Sequence, residues 1–203
     1  MDTNSTQIQS KDVISSSKIK KLALAGLFAA LSYIGFQFFR IDIAVGPAKT
    51  AFHLGNTFVV LAALFLGGPV GGLSGAVGLS FADLTSGYAT YAPETFFLKF
   101  MIGLITGLVA YKGFKINTIT SKKKLAVATI VSAVAGLLFN VVADPIVGYF
   151  YQTIFIGLKA DIAQSLAKIS SVTTGVNALL SVIFATVLYL ILRPILRKAN
   201  LFN

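Results

Sequence analysis

The chain has 203 residues, 56% of them hydrophobic and 12% charged, with seven acidic side chains against seventeen basic ones for a net charge of +10. A soluble globular protein carries about 25% charged residues, so this chain has too little charge to cover a water-facing surface, and lipid is the solvent it suits. Cysteine is absent and His53 is the single histidine, which excludes a disulfide framework, a cysteine metal site and a histidine-cluster metal site.

Residues 1–17 are dominated by Ser, Thr, Gln and Asn and read as a disordered cytoplasmic tail. Lys18, Lys20 and Lys21 flank a first apolar run, Leu22 to Phe39, which has about the length of a bilayer crossing and is too long for a signal-peptide core. Residues 40–52, with Asp42, Gly46, Pro47 and Lys49, read as a loop. A second helix is expected from His53 to Leu66, then a Gly/Pro turn over residues 67–72, then a third helix from Val70 to Thr85. After a short loop from Ser86 to Pro93, a fourth helix runs from Glu94 to Tyr111. The basic loop Lys112 to Lys124 separates it from a fifth, Leu125 to Val147. Residues 148–170 read as a mixed, amphipathic connection, and a sixth helix spans Val172 to Leu192. The apolar runs are long and unbroken, unlike the alternating segments of about ten residues that build a membrane barrel. The expected fold is all-α: one polytopic membrane domain over residues 18–203 with six transmembrane helices.

Basic residues set the expected orientation. With the N-terminus inside, cytoplasmic segments hold twelve Lys and Arg: four before helix one, five in the 112–124 loop and three after helix six. The outer segments hold four: Arg40, Lys49, Lys159 and Lys168. Both termini are therefore expected in the cytoplasm, and the positive charge reads as a topology signal rather than a nucleic-acid surface.

Polar side chains inside a membrane are costly and mark functional sites. In this topology they gather at the outer ends of the helices. His53 and Asn56 start helix two, Asp83 ends helix three, and Tyr88, Tyr91, Glu94 and Thr95 precede or begin helix four, with Lys99 one turn deeper. Asn140 and Asp144 lie in the outer part of helix five, followed by Gln152. Thr173, Thr174 and Asn177 lie in the outer part of helix six. The inner halves are nearly all apolar. That asymmetry describes a pocket open to the outside and closed below, not the continuous polar path that a channel needs. The expected ligand-binding set is His53, Asn56, Asp83, Tyr88, Tyr91, Lys99, Asn140 and Asn177, with Tyr91 placed to stack on a ring. Separate bland readings exist for each residue, such as interfacial solvation, ion pairing, interhelical hydrogen bonding or an aromatic belt, but they do not account for the clustering.

Helix one carries Ala25, Ala29 and Ser32 on one face, a spacing that lets another helix approach closely, either within this chain or from a partner subunit. Gly72-Leu73-Ser74-Gly75 has the form of the rhomboid intramembrane protease motif. The only histidine lies at the other end of helix two, about 20 Å away at 1.5 Å per residue, and precedes the serine where rhomboids place it later. An enzyme is not expected, and the motif reads as a helix contact.

The segments Phe52-His53-Leu54-Gly55-Asn56, Gly67-Gly68-Pro69, Ala82-Asp83-Leu84, Gly87-Tyr88, Tyr91-Ala92-Pro93 and Thr95-Phe96-Phe97-Leu98-Lys99 resemble the substrate-binding S component of an energy-coupling factor (ECF) vitamin transporter. The resemblance covers residues 20–195. It implies six helices in a bacterial plasma membrane, a ligand pocket near the outer face capped by the loop from Arg40 to Phe52, and an A-x-x-x-A contact at Ala25 and Ala29 with a transmembrane coupling subunit. That subunit is driven by two cytoplasmic ATPases, which use ATP and Mg. The S component is thought to topple in the membrane and carry its vitamin inward. This chain has no phosphate-binding G-x-x-x-x-G-K-[ST] loop and is expected to need no cofactor of its own. The subgroup resembles carriers of hydroxymethylpyrimidine or pyridoxine. Riboflavin carriers use asparagines comparable to Asn140 and Asn177 but also a lysine where this chain has Leu180, and Lys99 keeps pantothenate open. A scaffold protein whose polar cluster is structural, and a self-contained secondary transporter, are the readings of other classes.

Overall fold

The structure, a computed structural model, describes the backbone of residues 3–201 and the side chains of residues 17–201. The tail expected over residues 1–17 lies, residue 17 apart, outside the residues described in full. Six helices follow in order: α1 (Thr3–Gln37), α2 (Gly55–Leu66), α3 (Gly68–Thr85), α4 (Ala92–Leu108), α5 (Lys122–Tyr151) and α6 (Ala160–Lys198). Four segments are long and apolar enough to cross a bilayer: Ser17–Gln37, Ala89–Gly113, Lys122–Ile156 and Ala160–Lys198. α2 is different. Its 12 residues span about 18 Å at 1.5 Å each, short of the roughly 30 Å hydrocarbon core. Every α2 residue except Phe58 is buried, so this helix fills the bundle while the others meet lipid. Their outward faces carry large exposed apolar side chains, among them Leu27, Phe81, Leu138 and Ile183.

The helices agree with an all-α membrane protein, and the loop expected over residues 40–52 is where the structure differs. Residues 40–52 form an antiparallel hairpin, β1 (Ile41–Val45) paired with β2 (Ala48–Phe52), with Ile41 opposite Phe52 and Val45 opposite Ala48. The two-residue turn is Gly46-Pro47, and Gly46 takes φ +59°. Gly at a positive φ in a two-residue connection matches the twist of the strands it joins, and Ile41, Ile43 and Val45 supply β-branched residues that suit a strand.

A second difference lies after α5. The helix runs on to Tyr151, turns through a π-type segment over Gln152–Ile156, and α6 begins at Ala160. The stretch read as a connection is thus mostly helix. Ala163 and Leu166 are buried there, so its first turns pack on the bundle with one apolar face while Asp161, Gln164 and Ser165 stay exposed.

α3 holds the bundle together through contacts in which backbone meets backbone. A Cβ placed on Gly71 would lie 2.3 Å from Ala63 N of α2, one on Gly72 2.6 Å from Phe100 O of α4, and one on Gly78 2.1 Å from Ala29 O of α1. From the α4 side, a Cβ on Gly107 would lie 2.1 Å from Gly68 N. Ser74, read as part of a protease-like motif, donates its hydroxyl to Ala25 O and so fastens α3 to α1. The Ala25, Ala29 and Ser32 face is accordingly turned toward α3: Ser32 is fully buried, and Ala25 and Ala29 are half-buried. Ala23, Gly26 and Ala30 of α1 stay exposed.

Alanine substitution is expected to have opposite signs at two glycines. Gly107→Ala forces α3 and α4 apart and should cost at least the roughly 1–3 kcal/mol of an overpacked contact, lowering the melting temperature of the detergent-solubilised protein. Gly26→Ala meets nothing within 4 Å and should be neutral or slightly stabilising, because alanine loses less backbone freedom in a helix. Equal melting temperatures for the two variants would contradict the packing described.

Candidate functional site

One end of the bundle encloses a cavity of about 790 Å³, mouth included, bounded by β2, the starts of α2, α4 and α6, and the ends of α3 and α5. Below it α2 is apolar and buried from Val59 to Leu66, which closes the floor.

The hairpin forms the roof, and α6 holds it. Asn177 accepts from His53 N at 2.9 Å and donates to Ala51 O at 3.0 Å, so one side-chain amide completes the backbone hydrogen bonding where the chain leaves β2. Thr50 and Thr173 hydroxyls meet at 3.0 Å. Tyr88, from the connection between α3 and α4, donates to Asp42 Oδ1 at 2.9 Å and pins the hairpin from the other side. Burial, with the adjacent Asp42 carboxylate, pushes the Tyr88 hydroxyl well above its ordinary pKa, so it stays a donor.

An aromatic rim follows. Phe36 lies 4.9 Å from the His53 ring and edge-on to Tyr88 at 5.6 Å, and Tyr91 is tilted against Tyr88 at 5.9 Å. Lys49 Nζ sits 4.0 Å over the Tyr88 ring, a cation–π contact, and also donates to Ser86 O at 3.3 Å. His53 lies between β2 and α2, and its Nδ1 accepts from Gly55 N at 3.1 Å. Burial, and to a smaller degree the charge of Lys99, lowers its pKa from 6.5 to about 3. The ring is therefore neutral at physiological pH, with its proton on Nε2.

Charged groups line the deeper wall. Asp83 ends α3, Glu94 stands in the first turn of α4, and Asp144 comes from α5, where its Oδ2 accepts from Thr174 Oγ1 at 3.0 Å. A carboxylate in a first turn is favoured by the helix dipole. Gly148 makes room for Glu94: a Cβ there would lie 2.9 Å from Glu94 Oε1 and 3.4 Å from Gln152 Nε2. Lys99 Nζ donates to Asn140 Oδ1 at 3.2 Å. Among the described residues the one ion pair within 4.0 Å is Arg40 with Asp42 at 3.1 Å, so the three wall carboxylates are not in direct salt bridges. Four buried oxygens on the wall have no hydrogen-bond partner: Asn56 Oδ1, Asp83 Oδ2, Glu94 Oε2 and Gln152 Oε1.

Of the eight residues expected to bind ligand, His53, Asn56, Asp83, Tyr88, Tyr91, Lys99 and Asn177 all border this one cavity. Asn140 does not; it stands behind Lys99 and holds its ammonium. Glu94, Asp144 and Gln152 belong to the wall and were in the polar cluster of the sequence without being chosen for the ligand set. The hairpin residues Lys49 and Thr50 also border it, within the segment that the resemblance implies as the cap but outside the expected ligand set. Among the described residues no three His, Asp or Glu side chains are grouped to hold a metal ion.

Two measurements probe this geometry. Histidine nitrogen shifts of the single ring should show no titration between pH 5 and 8; a midpoint near 6.5 would mean that His53 is solvated. Asn177→Ala should lower the hydrogen-exchange protection of amides in residues 48–55 by about tenfold, the loss of one to two hydrogen bonds, and leave the lower half of α6 unchanged.

The family model described as "ECF-type riboflavin transporter, S component" matches residues 16–194. Comparison with curated proteins gives no match.

Proposed function

This chain belongs to the family of ECF-type riboflavin transporter S components, and on that premise we propose that it captures a small heterocyclic B vitamin or vitamin precursor from outside the cell, with hydroxymethylpyrimidine or pyridoxine favoured. S components are binding subunits of vitamin transporters and work with a transmembrane coupling subunit and ATPases; the chain is a multi-pass membrane protein. The finer reading adds six crossings in a bacterial plasma membrane, both termini inside, and the cavity facing outward. Inward delivery then depends on one coupling subunit and two cytoplasmic ATPases, and no cofactor is bound by the chain itself.

The observation that carries this reading is one cavity in which seven of the eight expected residues meet above an apolar floor. A scaffold protein has no use for four unpartnered buried oxygens gathered on one cavity wall, since each costs roughly 1–3 kcal/mol. The family description favours one second reading, riboflavin itself.

Calorimetry of the purified chain, without ATP, against the set of B vitamins and their precursors should give heat with one compound at submicromolar concentration. Silence across the whole set would overturn the carrier reading. Asn140→Leu, which strips Lys99 of its partner, should weaken ligand binding without releasing the coupling subunit. A scaffold would keep its partners and show no ligand to lose.

A further inference from the structure

Charge is divided unevenly between the two ends of the bundle. The acidic side chains described, Asp42, Asp83, Glu94, Asp144 and Asp161, all lie toward the hairpin end. Among the described residues the opposite end has no carboxylate side chain. The segment joining α4 to α5 exposes Lys112 and Lys115 there, and the start of α5 exposes Lys122, Lys123 and Lys124. Lys18, Lys20 and Lys21 are exposed at the start of α1, and Lys20 Nζ donates to Asn200 O at 3.3 Å, which brings that start beside the end of α6.

The basic segment is fastened to α6 by its carbonyls. Arg193 donates to Ile119 O at 3.1 Å and to Ile116 O at 2.8 Å, and Arg197 donates to Asn117 O at 2.8 Å. Ile116 is fully buried beneath this clasp, and the Ser121 side chain caps α5 just after it. The lysines on either side therefore stand on a fixed frame. Arg193 is 5% exposed, and its partners are carbonyls rather than a carboxylate. They satisfy its hydrogen bonds without cancelling its charge, so the guanidinium adds to the positive field of this end. Lys122, Lys123 and Lys124 occupy the first turn of α5, where the helix dipole opposes positive charge. An anion from outside the chain relieves both costs.

The depth of these ammoniums says which anion. Exposed apolar side chains alternate with them: Ile19 and Leu22 beside the lysines of α1, Phe114 between Lys112 and Lys115, and Val127 one turn beyond Lys123. Such side chains continue the lipid-facing surface, so the ammoniums stand where hydrocarbon gives way to headgroups and can reach phosphates along their apolar stems. An acidic soluble protein would match the ammoniums but not the apolar side chains between them.

We propose that this end of the bundle is a binding surface for the phosphate headgroups of anionic phospholipids, built on the segment that Arg193 and Arg197 clasp to α6. It goes beyond the carrier reading and holds whichever ligand the cavity takes.

Native mass spectrometry of the full chain, released from nanodiscs of phosphatidylcholine and phosphatidylglycerol in equal parts, reports which lipid stays bound. The wild type should retain phosphatidylglycerol over phosphatidylcholine by at least about tenfold. Lys122→Gln, Lys123→Gln and Lys124→Gln together change only exposed side chains. They should cut that preference at least about fivefold, the worth of one lysine near an anionic surface. Lys159→Gln with Lys168→Gln, exposed at the hairpin end, should leave it unchanged. The proposal is wrong if the wild type shows no preference, or if the hairpin-end pair lowers it as much as the triple variant does. A preference that survives the triple substitution overturns it too, and if that variant then fails to retain the coupling subunit, the surface belongs to a protein partner.

Discussion

α3 touches three neighbours at backbone distance, and the rest of the structure depends on that contact. Its glycines leave no side chain between it and α1, α2 or α4, so the helix axes are fixed by main-chain atoms that do not repack. Side-chain packing can yield by a rotamer; backbone against backbone cannot. The consequence appears at the far end of the same helix. Asp83 emerges there at a position set by the glycine contacts below, next to the start of α4 that carries Glu94 and Lys99. The cavity is the space left where helices locked together at one end part around polar side chains at the other.

Within that space the electrostatics are unbalanced by design of the wall rather than by any single residue. A buried polar group is ordinarily partnered, and most here are: Asn177, Thr50, Thr174 and Tyr88 each have one or more partners. These satisfied groups build the roof and its hinges. Unsatisfied oxygens of Asn56, Asp83, Glu94 and Gln152 gather on the wall, while others, such as the hydroxyls of Ser32, Thr106, Thr186 and Tyr189, lie elsewhere in the bundle. A protein that leaves Asp83 and Glu94 buried in this way loses stability when empty, and regains it in proportion to ligand affinity once a molecule supplies the missing donors. Roof and wall therefore divide the work. One is rigid without ligand, and the other is complete only with it.

The polar residues were legible because the membrane makes each of them conspicuous: seven scattered positions share a cavity for the reason that made them suspicious in lipid. Asn140 shows the limit of that logic. A buried amide is equally explained by a ligand or by a lysine that needs an acceptor, and only the side-chain geometry of Lys99 separates the two. The hairpin escaped notice because its five-residue strands carry Asp42, Lys49 and Gly46-Pro47, which read as loop chemistry, although β-branched alternation around a two-residue Gly turn was present. Hydropathy places the start of α6 twelve residues late because its first turns are amphipathic rather than apolar, and hydropathy finds lipid-facing helix, not helix that packs on its own bundle. The Ala25/Ala29 spacing signalled a close helix contact without saying whose. α3 of the same chain takes much of it.

The floor decides how a ligand can leave on the other side. α2 offers no hydrogen-bonding side chain from Phe58 to Leu66, and Leu61, Leu64 and Leu79 beside or within it are almost wholly buried, so α2 provides no polar relay down from the cavity. Opening a path through the bundle would mean parting α3 from α1 or α4, the contacts in which a single methyl group already has no room. Parting them would also expose main-chain groups to lipid, at several kcal/mol for each left unsatisfied. Motion of the whole body relative to the bilayer breaks none of these contacts. It needs only that the outer faces slide against lipid, and those faces are apolar and free of the polar wall. A passage through the bundle is thus the costly route, and the glycine contacts of α3 make it so.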